Sequence, residues 1–247
     1  MERLGQLLSI DQTQILSPEL SQVFTRLQSR GYAMPDRQLF IVLNKNWGTD
    51  WIEKFKFFDT RPFAAASIGQ VHSAVLKNGI KVAVKVQFPV IQKSIKSDIS
   101  NLRLIAKATG LIPKNLDLEY YLSICEEQLN FETDYLREAG YLKTFAEHSY
   151  QTPHIVVPRL LEEFSTAKVL TMSYEEGEDF DSSTVFSKKD RNHIAHLLLD
   201  WTKKEIFEFR LVQTDPNFAN FRYDRTSRKL KLLDFGASTK ISKKIVS

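Results

Sequence analysis

Gln213-Thr214-Asp215-Pro216-Asn217-Phe218-Ala219-Asn220, followed by Lys229-Leu230-Lys231-Leu232-Leu233-Asp234-Phe235-Gly236, is the stretch from which the rest of the chain can be read. The first piece is polar and broken by an Asp-Pro pair, so it reads as a loop from Gln213 to Asn220. The second alternates lysine with leucine and reads as a strand, Lys229 to Leu233, carrying Asp234 at its end. Asp215, Asn220 and Asp234 thus gather oxygen-bearing side chains on one loop and one strand end. Phosphoryl transfer uses such a set, because a hard cation takes oxygen ligands and a further carboxylate faces the nucleophile.

Working outward, the D-x-x-x-x-N spacing of Asp215 and Asn220, with Asp-Phe-Gly after it, matches the catalytic and metal-binding segments of kinases. Lys85 and Glu138 precede them in the order such a site needs, the lysine for the α- and β-phosphates and the glutamate to orient it. Alone, a lysine in a β-branched strand is usually a solvated edge residue, and Asp234 alone could be a strand-end turn. The ordered set is a poor fit to chance. Gln213-Thr214 stand where an ordinary protein kinase has His-Arg, so the site departs from that pattern.

Toward the N-terminus the apolar period is two from Lys54 to Gln87. Phe55 and Phe57 mark one strand, Val71, Ser73 and Val75 a second, and Val82, Val84 and Val86 a third. Asn78-Gly79 is a hairpin signal between the last two. Lys85 then lies beside Ala83, opposite the valines, where a buried ammonium needs a carboxylate partner. Between the first two strands Ala64-Ala65-Ala66-Ser67-Ile68-Gly69-Gln70 reads as a loop in the place of a phosphate-covering loop. It has one glycine where three are usual, which limits how closely backbone N–H groups approach phosphate.

Helical periods flank this region. Ser17-Pro18-Glu19 and Pro35 open amphipathic helices through Leu27 and Leu43, an extension reaching about Trp51. Helices are expected around Ile91 to Ala108 and from about Leu118 to His148. On the latter, Asp134 and Glu138 share a face and Glu132 points elsewhere, which suggests two separate roles, although such residues are most often a solvated acidic face. Val156 to Leu161 and Lys168 to Tyr174 read as strands, and Asp190 to Arg210 as a helix with Ile194, Leu197, Leu198 and Trp201 on one side.

Composition bounds the rest. The 247 residues carry 34 basic against 30 acidic side chains, a net +4, which permits an anionic partner without choosing one. The scattered lysines (Lys188-Lys189, Lys203-Lys204, Lys240, Lys243-Lys244) are expected to be solvated, with anionic lipid as the alternative. The single cysteine, Cys125, excludes an intramolecular disulfide and suits a reducing compartment. No apolar run approaches a membrane span, and no signal or targeting segment is expected. The histidines show no metal-ligand pattern; His193 and His196 share a helix face without supporting ligands.

Several motifs together resemble the UbiB family, the atypical, aarF-domain-containing kinases of coenzyme Q biosynthesis. They are Arg3-Leu4-Gly5-Gln6, Ala64 to His72, Glu132-Thr133-Asp134, Arg137-Glu138-Ala139, Gln213 to Asn217 and Leu233 to Ala237. The Gln-Thr-Asp-Pro-Asn form is closer to the mitochondrial branch. The resemblance implies an α+β, protein-kinase-like, two-lobed fold with an N-terminal helical extension (1-52) obstructing the place of a protein substrate. A kinase-like N-lobe with inserted helices (53-174) and a partial C-lobe with the catalytic loop (175-247) would follow. It further implies ATP and Mg²⁺ as cofactors, Lys85 paired with Glu138, and the Ala64–Gln70 segment over the nucleotide. Asn220 and Asp234 would hold the metal and Asp215 the catalytic-base position. Arg3, Gln6, Glu132 and Asp134 would be the family's own signature residues. Arg3 stands where the family has lysine, and Arg keeps the charge in a planar fork. The family also continues past Gly236 into helices that complete the C-terminal lobe, so the chain reads as truncated at both ends, with apolar surface bared on the Asp190–Arg210 helix.

The expected function is that of an atypical kinase-like ATPase supporting ubiquinone biosynthesis, at the matrix face of the mitochondrial inner membrane. The γ-phosphoryl would pass to water or to a small or lipid acceptor. Expected partners are nucleotide, anionic or isoprenoid lipid and coenzyme Q biosynthetic enzymes, with no nucleic acid. The alternative is a non-catalytic, nucleotide-responsive scaffold or lipid-binding chaperone of those enzymes. A true protein kinase is disfavoured by the alanine-rich segment and the extension.

Overall fold

Pro35 has no N–H to donate and a φ of −56°, and the helix α1 (Asp36–Trp47) starts directly after it. Its buried residues Leu39, Val42, Leu43 and Trp47 recur at helical spacing, as the sequence predicts. Gly48, at φ 87°, ends the helix and donates its N–H to Asn44. The structure, a computed structural model, describes residues 34–66, 68–89, 91, 96–97, 99–101, 103–104, 117–180, 186–215 and 217–242. The expected helix through Leu27 lies outside these residues, as does most of that around Ile91 to Ala108. The chain divides into two compact units, Met1–Ala74 with Val84–Thr133, and Val75–Ala83 with Asp134–Ser247.

In the first unit α1 leads through a 3-10 turn, Trp51–Lys54, into β1 (Phe55–Phe58). Trp47, Trp51, Phe55 and Phe58 pack ring against ring with centroids 5.0 to 6.5 Å apart. The segment expected as a loop is instead half strand. Ala64–Ala66 forms β2, antiparallel to β3 (Gly69–Leu76), with Ala64 opposite Val71 and Ala66 opposite Gly69. Such small side chains crowd nothing in a tight hairpin. Along β3 the more buried face is Gln70, His72, Ala74 and Leu76, not the Val71–Val75 face. The polar members of that face are hydrogen-bonded, which offsets their desolvation. On β4 (Lys81–Gln87) Val82, Val84 and Val86 are wholly buried, and past Ala83 the opposite face, Lys85 and Gln87, is buried as well. Each buried valine contributes roughly 1.5–3 kcal/mol.

The expected helix from Leu118 to His148 is two helices. α2 (Leu118–Glu132) ends where Thr133 donates both its N–H and its hydroxyl to the Asn130 carbonyl. α3 (Tyr135–Ser149) starts afresh because the Asp134 carboxylate caps it, accepting from the Arg137 N–H at 3.0 Å. Asp134 therefore precedes the helix and does not share a helical face with Glu138.

The second unit holds the β3–β4 hairpin tip, with Gly79 at φ 85° as the turn chemistry requires. Beyond α3 come β5 (Ile155–Val156) and β6 (Val169–Ser173). The strand expected to run to Leu161 stops early, since Pro158 has no N–H for a ladder; only a bridge, Leu160 to Met172, follows. β7 (Glu178–Asp179), β8 (Leu211–Gln213), β9 (Phe221–Asp224), β10 (Lys229–Leu232) and β11 (Ser238–Lys240) complete the strands. One sheet runs β5-β10-β9-β7, and β11 pairs β8. The helix expected over Asp190–Arg210 is α4 (Lys188–Lys204), capped by the Ser187 hydroxyl, which widens into a π turn, Glu205–Phe209. Ile194 and Trp201 are buried, whereas Leu199 and Phe207 are exposed. Among the described residues no helix is long and apolar enough to cross a membrane.

Candidate active site

The Asp215 loop is tied at both ends by main-chain bonds. Thr214 donates its N–H to the Ala237 carbonyl at 2.8 Å, and Leu233 donates to the Asn220 carbonyl at 2.9 Å. The β9–β10 ladder sets Phe221 opposite Leu232. Asn220 and Leu233 are the residues flanking that pair, which is why Asp234 emerges beside the loop. Within the loop Asn217 caps the 3-10 turn Phe218–Asn220, its Oδ1 accepting from Ala219 at 3.0 Å. That turn brings Asn220 back on Asp215, and Asn220 Nδ2 donates to Asp215 Oδ2 at 2.7 Å. The expected pair is thus in direct contact.

Asp234 Oδ1 accepts the Gly236 N–H at 2.9 Å, a local turn that fixes its carboxylate. Glu138, on α3, is 3% exposed and belongs to the same neighbourhood. A Cβ placed on Gly236 would lie 3.3 Å from Glu138 Oε2 and 3.3 Å from Asp234 Oδ1. Behind them Phe145 of α3 packs on Phe235 with ring centroids 5.0 Å apart, and Arg137 Nη2 donates to the Ser238 carbonyl at 2.9 Å. The second unit therefore assembles Glu138, Asp215, Asn220 and Asp234 by itself. Asp134 is exposed; besides capping α3, its charge opposes the burial that draws the Lys168 ammonium below its ordinary range.

In the first unit Lys85 lies on β4, 7% exposed between Val84 and Val86. Ala64, Ala65, Ala66, Ile68, Gly69 and Gln70 form the β2–β3 hairpin, whose Ile68 accepts the Phe88 N–H at 3.0 Å. Glu132 is buried near the end of α2, where the Thr133 carbonyl accepts from Gln87 Nε2 at 3.0 Å. Arg3, Gln6 and Ser67 lie outside the described residues.

Sequence reasoning missed a network in that hairpin. Gln70 Oε1 accepts the Met34 N–H at 2.7 Å, so its amide nitrogen must face His72 Nε2, 2.9 Å away. His72 Nε2 then has to accept, and Nδ1–H donates to the Asp59 carbonyl at 2.9 Å. Burial also holds the His72 pKa below its ordinary value, against the Asp59 and Asp36 charges. Glu205 was missed as well. It is 3% exposed, and burial pushes its carboxyl up to about 7. Its one sequence signal is the i, i+4 spacing from Trp201. His193 donates to the Arg228 carbonyl at 3.1 Å.

The donor chemistry of the loop fits Mg²⁺. With Nδ2 of Asn220 engaged by Asp215, its amide oxygen is the atom left to ligate, and Asp234 adds a carboxylate. Mg²⁺ commonly takes few protein oxygens and completes its shell with water and phosphate.

Residues 26–247 match the ABC1 atypical kinase-like domain. The chain is 43% identical over 236 residues to the rat protein named atypical kinase COQ8B, mitochondrial, covering 96% of this chain and 45% of that one. It thus spans about half the length of that relative. Among solved structures it resembles Rv3197 of Mycobacterium tuberculosis, determined in complex with erythromycin, with a TM-score of 0.71 and 27% identity. That match covers 96% of this chain and 60% of the other. It also resembles the Rio2 kinase of Chaetomium thermophilum, described as an ADP/Mg²⁺-phosphoaspartate complex, with a TM-score of 0.50 and 10% identity. That match covers 83% and 55% of the two chains and supports the fold alone. The kinase-like α+β fold and the UbiB-type resemblance read from the motifs agree with these matches.

Proposed function

The chain belongs to the ABC1 atypical kinase-like domain family, and we propose that it binds Mg²⁺–ATP and transfers the γ-phosphoryl to water or to a small or lipid acceptor, in support of coenzyme Q biosynthesis. The observation that carries this reading is the contact of Asn220 with Asp215 beside an Asp234 that shares its surroundings with Glu138. Asn220 and Asp234 would hold Mg²⁺, which when bound neutralises charge developing on the transferred phosphoryl group. Asp215 would orient the attacking oxygen and take its proton at a carboxylate oxygen. Its bond from Asn220 at Oδ2 would hold the carboxylate in place for that task. Lys85 would contact the α- and β-phosphates and pair with Glu138. The alanine hairpin would cover the nucleotide.

The remaining expectations join this reading as proposals. The extension signature, Arg3 and Gln6, with Glu132 and Asp134, would restrict access of protein substrates. Mitochondrial location follows the name of the rat relative, and the matrix face of the inner membrane, with anionic or isoprenoid lipid and biosynthetic enzymes as partners, is the finer proposal. The division into extension (1-52), N-lobe (53-174) and C-lobe (175-247) goes with it.

The test is phosphate release from Mg²⁺–ATP by the wild-type chain, Asp215→Asn and Asp234→Asn, alongside nucleotide affinity. Loss of several orders of magnitude in both variants, with affinity lost only in Asp234→Asn, is expected. A wild-type rate no higher than that of Asp234→Asn, with nucleotide still bound, would replace the ATPase by a nucleotide-responsive scaffold.

A further inference from the structure

Arg137 precedes Glu138 on the first turn of α3 and has no part in the proposed chemistry. Its side chain nevertheless reaches the segment that carries Asp234: Arg137 Nη2 donates to the Ser238 carbonyl at 2.9 Å.

The need for that bond follows from strand alternation. Ala237 accepts from Thr214, Ile241 donates to Arg210, and Ser238 stands opposite Gln213. Odd-numbered residues of the β11 segment thus direct their main-chain groups to β8, and alternation turns the Ser238 carbonyl to the outer edge. Among the described residues no third strand pairs there. Ser238 is 1% exposed, so its carbonyl needs a donor from elsewhere, and Arg137 supplies it. The Ser238 hydroxyl donates back to the Phe235 carbonyl at 2.8 Å and closes the turn that follows Asp234. From the β8 side, Gln213 Nε2 donates to the Asp234 carbonyl.

The segment is laid along α3. Phe235 packs on Phe145, Glu138 closes the space beside Gly236, and Ser238 meets Arg137. The order runs from the middle of the helix toward its N-terminus. Arg137 and Phe145 are eight residues apart, about 12 Å along the axis, so two anchors fix the tilt of the helix as well as its position. Glu138 adjoins the outer one. Arg137 and Tyr141 are one helical turn apart, and the guanidinium lies over the Tyr141 ring, 5.0 Å from its centroid. That stacking favours the guanidinium's placement for its bond to Ser238.

We infer that Arg137 is a positioning residue of the candidate site: through the Ser238 carbonyl it holds the Asp234 turn against the first turn of α3, so that Glu138 and Asp234 keep their mutual placement. As regards nucleotide, the inference rests on the Mg²⁺–ATP reading above. A ligand group already in place binds a cation at less cost than one the cation must itself order. Loss of the Arg137 bond therefore shows in the Mg²⁺ concentration required, and not in nucleotide binding without metal.

The experiment measures ATP affinity against Mg²⁺ concentration for wild type, Arg137→Met, Arg137→Lys and Ser238→Ala. Amide hydrogen exchange is followed at Gly236, whose N–H is bonded to Asp234 Oδ1. Arg137→Met keeps an apolar stem beside Tyr141 but no donor. It is expected to raise the Mg²⁺ concentration for half-maximal binding about tenfold, as for one lost bond from a charged donor, and to quicken Gly236 exchange by a similar factor. Metal-free affinity should not change. Arg137→Lys restores a charged donor and should recover part of the loss, which a residue that only packs would not show. Ser238→Ala loses the bond to Phe235 and should move both readouts the same way by a smaller factor. Wild-type Mg²⁺ requirement and exchange in Arg137→Met overturn the inference and leave the Mg²⁺–ATP reading standing, and equal losses with and without Mg²⁺ also overturn it. If Arg137→Met does not fold, Ser238→Ala decides by the same two readouts. If wild type binds no nucleotide, the Mg²⁺–ATP reading falls and Gly236 exchange decides alone: faster exchange in Arg137→Met upholds the anchor, unchanged exchange ends it.

Discussion

Asn220 Nδ2 donates to Asp215 Oδ2 at 2.7 Å, so the metal-ligand candidate and the catalytic-base candidate are one hydrogen-bonded pair. Asn220→Asp would replace that donor by a second carboxylate at hydrogen-bond distance. Two such groups repel each other, so Asp215 would lose the placement that its bond from Asn220 gives it. Phosphate release at pH 7 is expected to fall at least about tenfold, with the pH profile displaced. Folding should survive, because the bonds of the Asn220 backbone with Asn217 and Leu233 remain. A wild-type rate in Asn220→Asp would separate this pair from the chemistry.

Gly236→Ala tests how tightly the acids are set. The new Cβ would meet Asp234 Oδ1 and Glu138 Oε2, each at 3.3 Å. Those carboxylates must give by a few tenths of an ångström. We expect Mg²⁺-dependent nucleotide affinity to fall several-fold while metal-free affinity changes little. Titration with and without Mg²⁺ checks this, and equal losses in both would place the damage elsewhere.

Two other glycines separate crowding from backbone strain. At Gly177 a Cβ would lie 2.9 Å from Arg222 Cβ and 3.3 Å from the Tyr223 backbone. Gly177→Ala is expected to cost about 1–3 kcal/mol, typical of overpacking, through the β7–β9 pairing. Gly79 has open space but a φ of 85°, so Gly79→Ala should cost about 1 kcal/mol through strain alone. Urea denaturation of both variants would show the difference, and a neutral Gly177→Ala would refute the close approach.

The candidate loop was legible because chemistry fixes its spacing: Asp215, Asn220 and Asp234 are named by distance along the chain, whatever surrounds them. α1 was legible because Pro35 and an apolar stripe mark it. What failed to show depends on tertiary partners. β9 carries an alternation, Phe221 and Tyr223 inward, but Arg222 and Asp224 and the loop before it masked a four-residue strand. The break between α2 and α3 is written in Thr133-Asp134, residues equally able to sit within a helix surface. Gln70, His72 and Glu205 are buried polar residues, and hydropathy patterns assign such residues to solvent. Their burial is compensated by bonds to Met34, Asp59 and Trp201 that only the fold creates.

The Gln70–His72 network predicts acid sensitivity in the first unit. Its polarity runs from the Met34 N–H to the Asp59 carbonyl and leaves His72 Nε2 no role but acceptor. Since burial lowers the His72 pKa from 6.5, the unfolded chain binds more protons below that value. The stabilisation is complete above pH 6.5 and declines as pH falls toward the lowered value. His72→Gln, which does not titrate, should flatten this part of a melting-temperature profile between pH 5 and 7 at a cost of about 1 kcal/mol for imperfect bonds. An unchanged slope in the variant would show that other groups cause it.

Glu205 predicts the opposite slope in the second unit. Its carboxyl is raised from 4.5 to about 7 by burial, so here the folded chain holds the extra proton. The stabilisation is full below pH 4.5, wanes as pH rises, and is gone above about 7. The span corresponds to something on the order of 3 kcal/mol. Glu205→Gln keeps the neutral form at every pH. Relative to wild type it should gain stability steadily from pH 5 to 7 and hold that gain above. Melting-temperature profiles of wild type and variant between pH 5 and 8 check this, and a Glu205→Gln chain less stable than wild type at pH 8 would show a packing defect instead.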